Sequence, residues 1–543
     1  MNVISEPLPS QQPLAEALVT DYAAVRQLYT NDARQDASWT ERAAWLDRSG
    51  ETRVDRKAVV EVLREFNRRH NPSPEVAAAL DLLERPETLV ITGGQQAGLF
   101  TGPVLVIYKA ITIIQAAEQA AKRLDRPVVP IFWIAGEDHD WEEANHAYVL
   151  TGELEVNRIR ITKGDEKRTQ VGQTKVNPGT WNEAIRELAE LLPDSEHKAD
   201  LLEEVRGVAS RSATLSEFFA KLLGLWFGRY GLILLDSSDP GLRKAEQAVF
   251  ERLIINNDEL GQAYQEAAEL SGKLGFAAQA EVAEDGANLF YIHEEERLLL
   301  FKREGRYEDR KGLVSFSRTD LLEQLRLYPE RFSNNVLTRP LMQDSLFPVL
   351  GTVLGAGEIA YWALTGAAFK VLGLQMPLLL PRMSFTVTDG TVQKYMDKYG
   401  LTFTDVKDRL AEKREAWLAA QIKIDVDTRF DEVKKSFEAL YEPFIEELGA
   451  IQRGLVRLGA ANQDKIAEQI EFLRRRTKLA VEEANDAALR QWDCIGQTLF
   501  PLGKLQERVF NVYYYLNKYG KDWIHELIQV PYEISGGHRL IQL

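Results

Sequence analysis

Apolar and polar positions change rhythm several times along the chain. The first 87 residues follow helical spacing in polar segments, punctuated by turns such as NPSPE at 71–75. TLVIT at 88–92 is a short unbroken apolar run and predicts a buried strand. A glycine-rich loop follows from Gly93 to Gly102, and apolar periodicity then predicts a long helix from Pro103 to about Lys122. Pro103 suits the first helical position, with Thr101 or Gly102 as the cap. The same alternation returns at PVVPIFWIA (127–135), LILLD (232–236), LFPVLGTVLGAGEIAYWAL (346–364) and MPLLLP (376–381). Buried strands separated by helical segments predict an α/β fold with a parallel sheet and crossovers, here a core over 88–390 with 1–87 as its helical N-terminal part. Two segments break the rhythm. Residues 153–176 alternate in strand fashion, and LFYIHEEERLLLFKR at 289–303 predicts a hairpin with a four-residue polar loop. Both read as β-rich insertions, near 145–225 and 265–330.

From 391 to 492 glycine and proline become rare and charge rises. Val426, Phe430, Val433, Phe437, Leu440, Phe444 and Leu448 recur at spacings of mostly four and three, a seam of coiled-coil type. A second helix is expected from about Gln463 to Arg490, with Ile466, Ile470, Leu473 and Ala480 on one face and LGAAN at 458–462 as the turn. Pro443 should kink the first helix. A long antiparallel helical arm buries little surface alone. It requires a cover, either a second copy in a homodimer or the chain's own core. Residues 493–543 regain globular character and are expected to return to the core.

Composition narrows the class. At roughly 100–200 residues per domain, 543 residues allow about three or four units. The 66 lysines and arginines against 82 aspartates and glutamates give a net charge of −16, which argues against a nucleic-acid coat or an anionic-membrane binder. Apolar stretches are broken by Lys109, Lys370 and Pro377 before reaching the ~18–20 residues of a membrane span. The opening MNVISEPLPSQQP lacks the basic and apolar regions of a secretory signal. The single cysteine, Cys494, excludes an internal disulfide framework and a cysteine zinc cluster. A cytoplasmic location and no protein-bound transition metal are the corresponding expectations.

Candidate chemistry gathers at the strand ends, where open α/β sheets bind ligands. Gly93, Gly94, Gln95, Gln96, Gly98 and Thr101 lie between a strand and a helix, in a loop whose N–H groups could hold a phosphate or carboxylate. It matches neither the P-loop nor the dinucleotide fingerprint, and a ligand-free crossover is the alternative. Gly136-Glu137-Asp138-His139-Asp140 follows a buried strand. Asp138, His139 and Asp140 could perform acid–base work or meet Mg²⁺ carried by a nucleotide; a helix-capping cluster is the alternative. Asn335, Arg339 and Gln343 offer a cation and amides for a carboxylate or sugar hydroxyls. Gly357, Glu358, Tyr361 and Trp362 form a second glycine-containing junction, whose aromatics could line a pocket or fill the core. Arg382 and Ser384, with Lys504, Arg508 and Tyr513, could hold a nucleotide or form a solvated basic face.

Taken in order, GGQQAGLFTGP, IFWIAGEDHDWEE, NVLTRPLMQD, GAGEIAYWA and PLGKLQER resemble the bacillithiol-biosynthesis cysteine-adding enzymes, the BshC cysteine ligase family, over nearly the whole chain. The resemblance implies a Rossmann-like core with connecting-peptide insertions and a coiled-coil arm that makes a homodimer. It implies a ligase that joins L-cysteine to the amine of glucosaminyl-malate. Making that amide at neutral pH requires an activated carboxylate, for which ATP or ADP with Mg²⁺ is the candidate cosubstrate. In that scheme the Gly93–Gly102 loop holds an anionic group. Asp138 and His139 bind or deprotonate the amine, and Arg339, Gln343 and Glu358 orient the substrates. The chain departs from class I adenylate-forming enzymes: its first junction has no histidine pair, and no KMSKS-like stretch follows. It also lacks the zinc cluster with which the mycothiol counterparts grip cysteine. Fold kinship therefore does not carry an adenylation mechanism across. A nucleotidyltransferase or hydrolase on the same core, and a coiled-coil scaffold without catalysis, remain rival readings.

Overall fold

Alternation within the apolar runs divides a central sheet between two hydrophobic cores. In the computed structural model, which describes residues 1–543 apart from Pro7, Pro9, Gln11, Asp165, Glu166 and Lys423, five strands form this sheet. They are β1 (Leu89–Gln95), β2 (Val128–Ile134), β3 (Ile233–Asp236), β4 (Val349–Leu354) and β5 (Leu378–Pro381). Their order is β5-β4-β1-β2-β3, and every pairing is parallel. Leu89, Ile91, Phe132, Ile134 and Leu234 face one core; Val90, Ile131, Trp133, Ile233 and Leu235 face the other. Helix α1 (Leu105–Leu124) covers the first face, and α2 (Pro240–Ile255) with the helix Arg56–His70 covers the second. The order reverses at β1: the chain moves outward through β2 and β3, then crosses to β4 and β5. This is the doubly wound Rossmann-like topology, with its switch point between β1 and β4.

Strand β1 runs on through Gly93, Gly94 and Gln95, three residues beyond the expected end. Glycine is required there by close approach. A Cβ on Gly93 would lie 2.8 Å from Ile113 Cδ1 and 2.9 Å from the Val353 carbonyl, and one on Gly94 would collide with the Trp133 carbonyl. Helix α1 starts at Leu105 instead of Pro103, with Val104 as its cap. The two preceding residues that might have capped it are diverted into a strained turn described below.

The insertions differ in character. Between β2 and β3 lies one hairpin, His146–Leu150 with Val156–Arg160, followed by three helices, Pro178–Leu191, Lys198–Ala209 and Leu215–Phe227. Residues 153–176 hold the strand Val156–Arg160 and no helix among their described residues, as their alternation predicts, while the insertion beyond them is helical; Asp165 and Glu166 lie outside the described residues. Between β3 and β4 the chain builds a five-stranded antiparallel sheet in the order Ser315–Ser317, Arg306–Asp309, Glu296–Arg303, Gly286–His293 and Phe332–Asn334. Its expected hairpin turns through two residues, not four. Glu294 and Glu295 adopt φ of 49° and 73°, the left-handed pair that matches strand twist in a tight hairpin. Beyond this sheet the chain forms α3 (Arg339–Leu346) before β4 and α4 (Ala356–Trp362) after it. The first residues are not all helical either, since Asn2–Glu6 pairs antiparallel with His538–Gln542.

Two compact units result: residues 1–387 with 504–543, and residues 388–503. The second contains α5 (Val426–Leu448), α6 (Arg453–Ala484) and α7 (Asp486–Leu499). Helix α5 continues through Pro443. The expected LGAAN turn is helical and lies inside α6; the reversal falls at 449–452. Gly459, within that stretch, is buried where a Cβ would meet Ile445 at 2.9 Å, so its small size serves helix contact. Helix α7 belongs to this unit because Trp492 packs on Tyr399 at 4.6 Å, placing the unit's end beyond the expected 492. Among the described residues no helix is long and apolar enough to cross a membrane.

Candidate active site at the switch point

The carboxyl ends of β1, β2 and β4 bring together the side chains with the most demanding electrostatics. Glu137, just after β2, is fully buried. Its Oε2 accepts from Arg243 Nη2 at 2.6 Å, from Ser333 Oγ at 2.8 Å and from the Asn334 backbone N–H at 3.0 Å, and its Oε1 accepts from Arg339 Nε at 3.4 Å. Burial alone would raise this carboxyl. The Arg243, Arg339 and Arg297 cations overcome burial and hold it down at about 2. Arg243 also pairs with buried Glu246 at 2.6 Å; burial pushes that second carboxyl up to about 7 despite the arginine. Glu137 thus fastens the core sheet to α2, to α3 and to the antiparallel insertion.

The insertion delivers Arg297, which is 3% exposed. Its guanidinium stacks on Phe290 at 3.7 Å, donates from Nε to Ser333 Oγ at 2.9 Å, and donates from Nη2 to the Asn334 carbonyl. Its Nη1 lies 3.0 Å from His139 Nδ1 and 3.6 Å from Asp138 Oδ1. His139 is lowered in pKa, first by burial and then by Arg297, against the opposing pull of Asp138. Asp138 Oδ1 accepts from the His139 and Asp140 backbone N–H groups at 2.7 and 3.3 Å. Asp140 caps a one-turn helix, Trp141–Ala144, by accepting from the Glu143 N–H at 3.1 Å. The capping role expected as an alternative therefore holds for Asp140. Among the described residues, no group of three or more His, Cys, Asp or Glu side chains is arranged to hold a metal ion.

Across the switch point, Lys109 projects from apolar α1 with only 1% exposure. Its ammonium donates to Glu358 Oε2 at 2.5 Å, to the Gly94 carbonyl at 2.7 Å and to Gln95 Oε1 at 3.0 Å. Burial lowers its pKa, while Glu358 works against the shift. Glu358 also accepts the Gly355 N–H at 2.7 Å, closing a capping box at the start of α4. Tyr361, on the same helix, is half-buried, and its phenol is raised in pKa by burial first and by Glu358 second, against Arg339. Arg339 opens α3, and neither of its terminal nitrogens has a partner among the described residues.

The structure sorts the sequence candidates. Gly93, Gly94, Gln95, Gln96, Asp138, His139, Arg339, Glu358 and Tyr361 belong to the strand-end region; Gln96 Nε2 also donates to the Asp140 carbonyl at 2.9 Å, tying the first loop to the second. Gly98 and Thr101 do not open to it. Both are buried, and the carbonyls of Phe100 and Gly102 accept from Asn511 Nδ2 at 2.8 and 2.6 Å. The Val104 N–H donates to the Phe510 carbonyl at 2.8 Å. The returning C-terminal segment therefore covers the start of α1, where an anion had been expected. Phe100 and Thr101 hold φ of 51° and 75°, costly conformations for non-glycine residues that this contact sustains. Asn335 spends its Oδ1 on the Leu337 and Thr338 N–H groups and its Nδ2 on Asn288. Gln343 is buried within α3, Gly357 is exposed, and Trp362 packs in the core on Phe369. The five nucleotide candidates do not form one surface. Arg382 is paired with buried Glu507 at 2.6 Å, Ser384 Oγ meets His538 Nδ1 at 2.8 Å, Tyr513 is fully buried, and Lys504 and Arg508 are exposed.

Sequence reasoning missed Arg297, Lys109 and Asn334, and named Glu137 only as one acid of the Gly136–Asp140 cluster. A lysine inside an apolar helix was a usable signal for Lys109. Arg297 and Asn334 had none, because only the insertion's path brings them to the core. Asn334 is wholly buried, with no partner for either side-chain amide atom among the described residues.

Comparison with known proteins agrees with this architecture. Residues 1–383 match the family model "Bacillithiol biosynthesis BshC, N-terminal Rossmann-like domain", and residues 385–543 match "Bacillithiol biosynthesis BshC, C-terminal coiled-coil domain". A Geobacillus kaustophilus protein named "Putative cysteine ligase BshC" is 35% identical, with 100% of both chains covered. Proteins of the same name from Bacillus cytotoxicus (35% identical, 90% of this chain and 91% of the relative) and Lysinibacillus sphaericus (31%, 98% and 99%) are also similar. Two family models that together span both units, and relatives similar over their full length, establish that this chain belongs to the bacillithiol biosynthesis BshC family.

Proposed function

We propose that the protein is a cytoplasmic cysteine ligase that joins L-cysteine to the free amine of glucosaminyl-malate, forming bacillithiol. The observation that carries this reading is a family match over the whole chain whose strand-end site offers a cation with open nitrogens, Arg339, and an acceptor carboxylate, Asp138. Those groups suit a substrate that bears carboxylates and an amine. Amide formation at neutral pH needs an activated carboxyl group and an uncharged amine. ATP with Mg²⁺ is the cosubstrate this reading assigns, turning the cysteine carboxylate into an acyl-adenylate or acyl-phosphate. Asp138 has Oδ2 left to bind the substrate ammonium and draw off its proton, since Oδ1 is engaged by two backbone N–H groups. Arg339 holds a carboxylate by charge and paired N–H groups. Lys109 fixes Glu358 and Gln95 beside it.

The second unit supports a homodimer. Val433, Leu440, Phe444, Leu458 and Leu473 are exposed, although three of them belong to the heptad-like seam of α5. Within the hairpin, contact runs through Ile445 with Gly459, through Phe430 under Arg474, and from the Tyr441 hydroxyl to Asn462 Oδ1 at 2.6 Å. The apolar row left outside is the surface a second copy would cover.

Mass spectrometry of reactions containing L-cysteine and glucosaminyl-malate, with and without ATP and Mg²⁺, tests the activity. A bacillithiol mass appearing only with ATP is the expected result, and AMP or ADP then names the intermediate. ATP turnover that ignores cysteine would replace this reading with a nucleotidyltransferase or hydrolase.

A further inference from the structure

Arginine is a donor at every nitrogen and stays protonated in proteins. Its 3.0 Å approach to His139 Nδ1 is therefore a hydrogen bond only if Nδ1 carries the lone pair. The carboxylate that could instead have accepted an Nδ1 proton, Asp138 Oδ1, stands 3.8 Å from that nitrogen, beyond hydrogen-bond reach. Arg297 cannot swing away easily. It is buried, stacked on Phe290, and held through Nε and Nη2 by Ser333 and the Asn334 carbonyl. Ser333 is in turn held by Glu137, so the orientation passes from the core sheet to the imidazole through a chain of hydrogen bonds. Nε2, on the other side of the ring, has no protein partner among the described residues, and it is not among the buried unsatisfied atoms. It is open to a ligand.

We propose that His139 acts as a neutral hydrogen-bond donor, presenting its Nε2–H to a carboxylate or acyl oxygen of the bound substrates, and that Arg297 is the positioning residue that fixes this tautomer. The proposal deepens the ligase reading and rests on it for the identity of the oxygen. It departs from the role expected from sequence, in which Asp138 and His139 together bind or deprotonate the amine. An imidazole that has lost its Nε2 lone pair to a proton and its Nδ1 lone pair to Arg297 has none left to offer as a base. A neutral donor is suited to an oxygen on which negative charge grows as the amine attacks an activated carboxyl, because it stabilises that charge without giving up its proton. Arg297 and Arg168 oppose protonation of the ring, while Asp138 and Asp140 favour it; burial sides with the arginines.

Ring nitrogen NMR of the full-length protein, labelled at histidine and assigned with His139→Gln, reads the tautomer without requiring any activity. We expect an unprotonated Nδ1 and a protonated Nε2 from pH 6 to 8. An Nδ1–H tautomer or an imidazolium over that range overturns the proposal, whatever the reaction proves to be. Ligase assays supply the second readout. His139→Ala should lower kcat/KM by about 100-fold, in the range for loss of a transition-state donor. His139→Gln, whose amide N–H can replace the donor but not a base, should recover about ten-fold of that loss and keep the ascending limb of the pH profile. Equal damage in both variants, or disappearance of that limb in His139→Gln, overturns the donor role. Absence of product with the unaltered protein under all conditions would instead strike the ligase reading and leave the tautomer test standing.

Discussion

Lys109 shows how a single buried charge sets the site. Unpaired, its ammonium would be costly to bury; the half-buried Glu358 carboxylate, the Gly94 carbonyl and the Gln95 amide oxygen satisfy it. Glu358→Leu should therefore destabilise the first unit by about 3 kcal/mol by stranding the lysine. Adding Lys109→Met should restore at least about 1 kcal/mol, measured as coupling in a urea-denaturation double-mutant cycle. His538 gives a pH-dependent counterpart. It is 4% exposed, and its two ring nitrogens meet Ser384 Oγ and Thr386 Oγ1 at 2.8 Å each. Burial, countered by Glu507, lowers its pKa to about 4. The unfolded chain protonates this residue near pH 6.5 and the folded chain does not until about 4, so its contribution is complete above that range and is lost as pH falls through it. Between pH 7 and 4.5 the protein should lose about 2–3 kcal/mol more unfolding free energy than His538→Gln, read from denaturation midpoints at each pH. At this scale sequence located the chemistry only in part. Asp138 and His139 were legible because they end a buried strand. Arg297, which decides what His139 can do, was not, because 158 residues separate the pair.

Elements were read well where one period persists and poorly where a residue type carries two meanings. The five buried runs became the five core strands because unbroken apolar stretches bounded by polar turns leave few alternatives. Glycine misled twice. Gly93 and Gly94 were read as loop but extend β1, and LGAAN was read as a turn but continues a helix. In both places the missing Cβ makes room for a neighbouring element. The contrast is measurable. Gly94→Ala should destabilise by about 1–3 kcal/mol, because the new methyl meets backbone that cannot yield. Gly357→Ala, in a helix with nothing within 4 Å of the added Cβ, should be neutral or stabilising by up to about 1 kcal/mol. Thermal unfolding of the two variants against the parent separates these outcomes.

For the whole molecule, the two-unit division follows from the composition shift near 390, while the return point could not be read so closely because α7 is amphipathic like its predecessors. If the outward apolar row of α5 is an intermolecular seam, Leu440→Glu with Phe444→Glu should convert dimer to monomer in light scattering, with the helical content by circular dichroism unchanged. An unaltered mass would place the interface elsewhere. The first unit also closes behind its own interruption. Just before the chain leaves, the Val387 N–H donates to Gln506 Oε1 at 2.8 Å; just after it returns, Gln506 Nε2 donates to the Val387 carbonyl at 3.0 Å. One glutamine amide thus mimics a neighbouring peptide group and fastens departure to re-entry. The consequence is local: the points where the chain leaves and re-enters the first unit are held side by side by this amide, whatever the length of the segment between them.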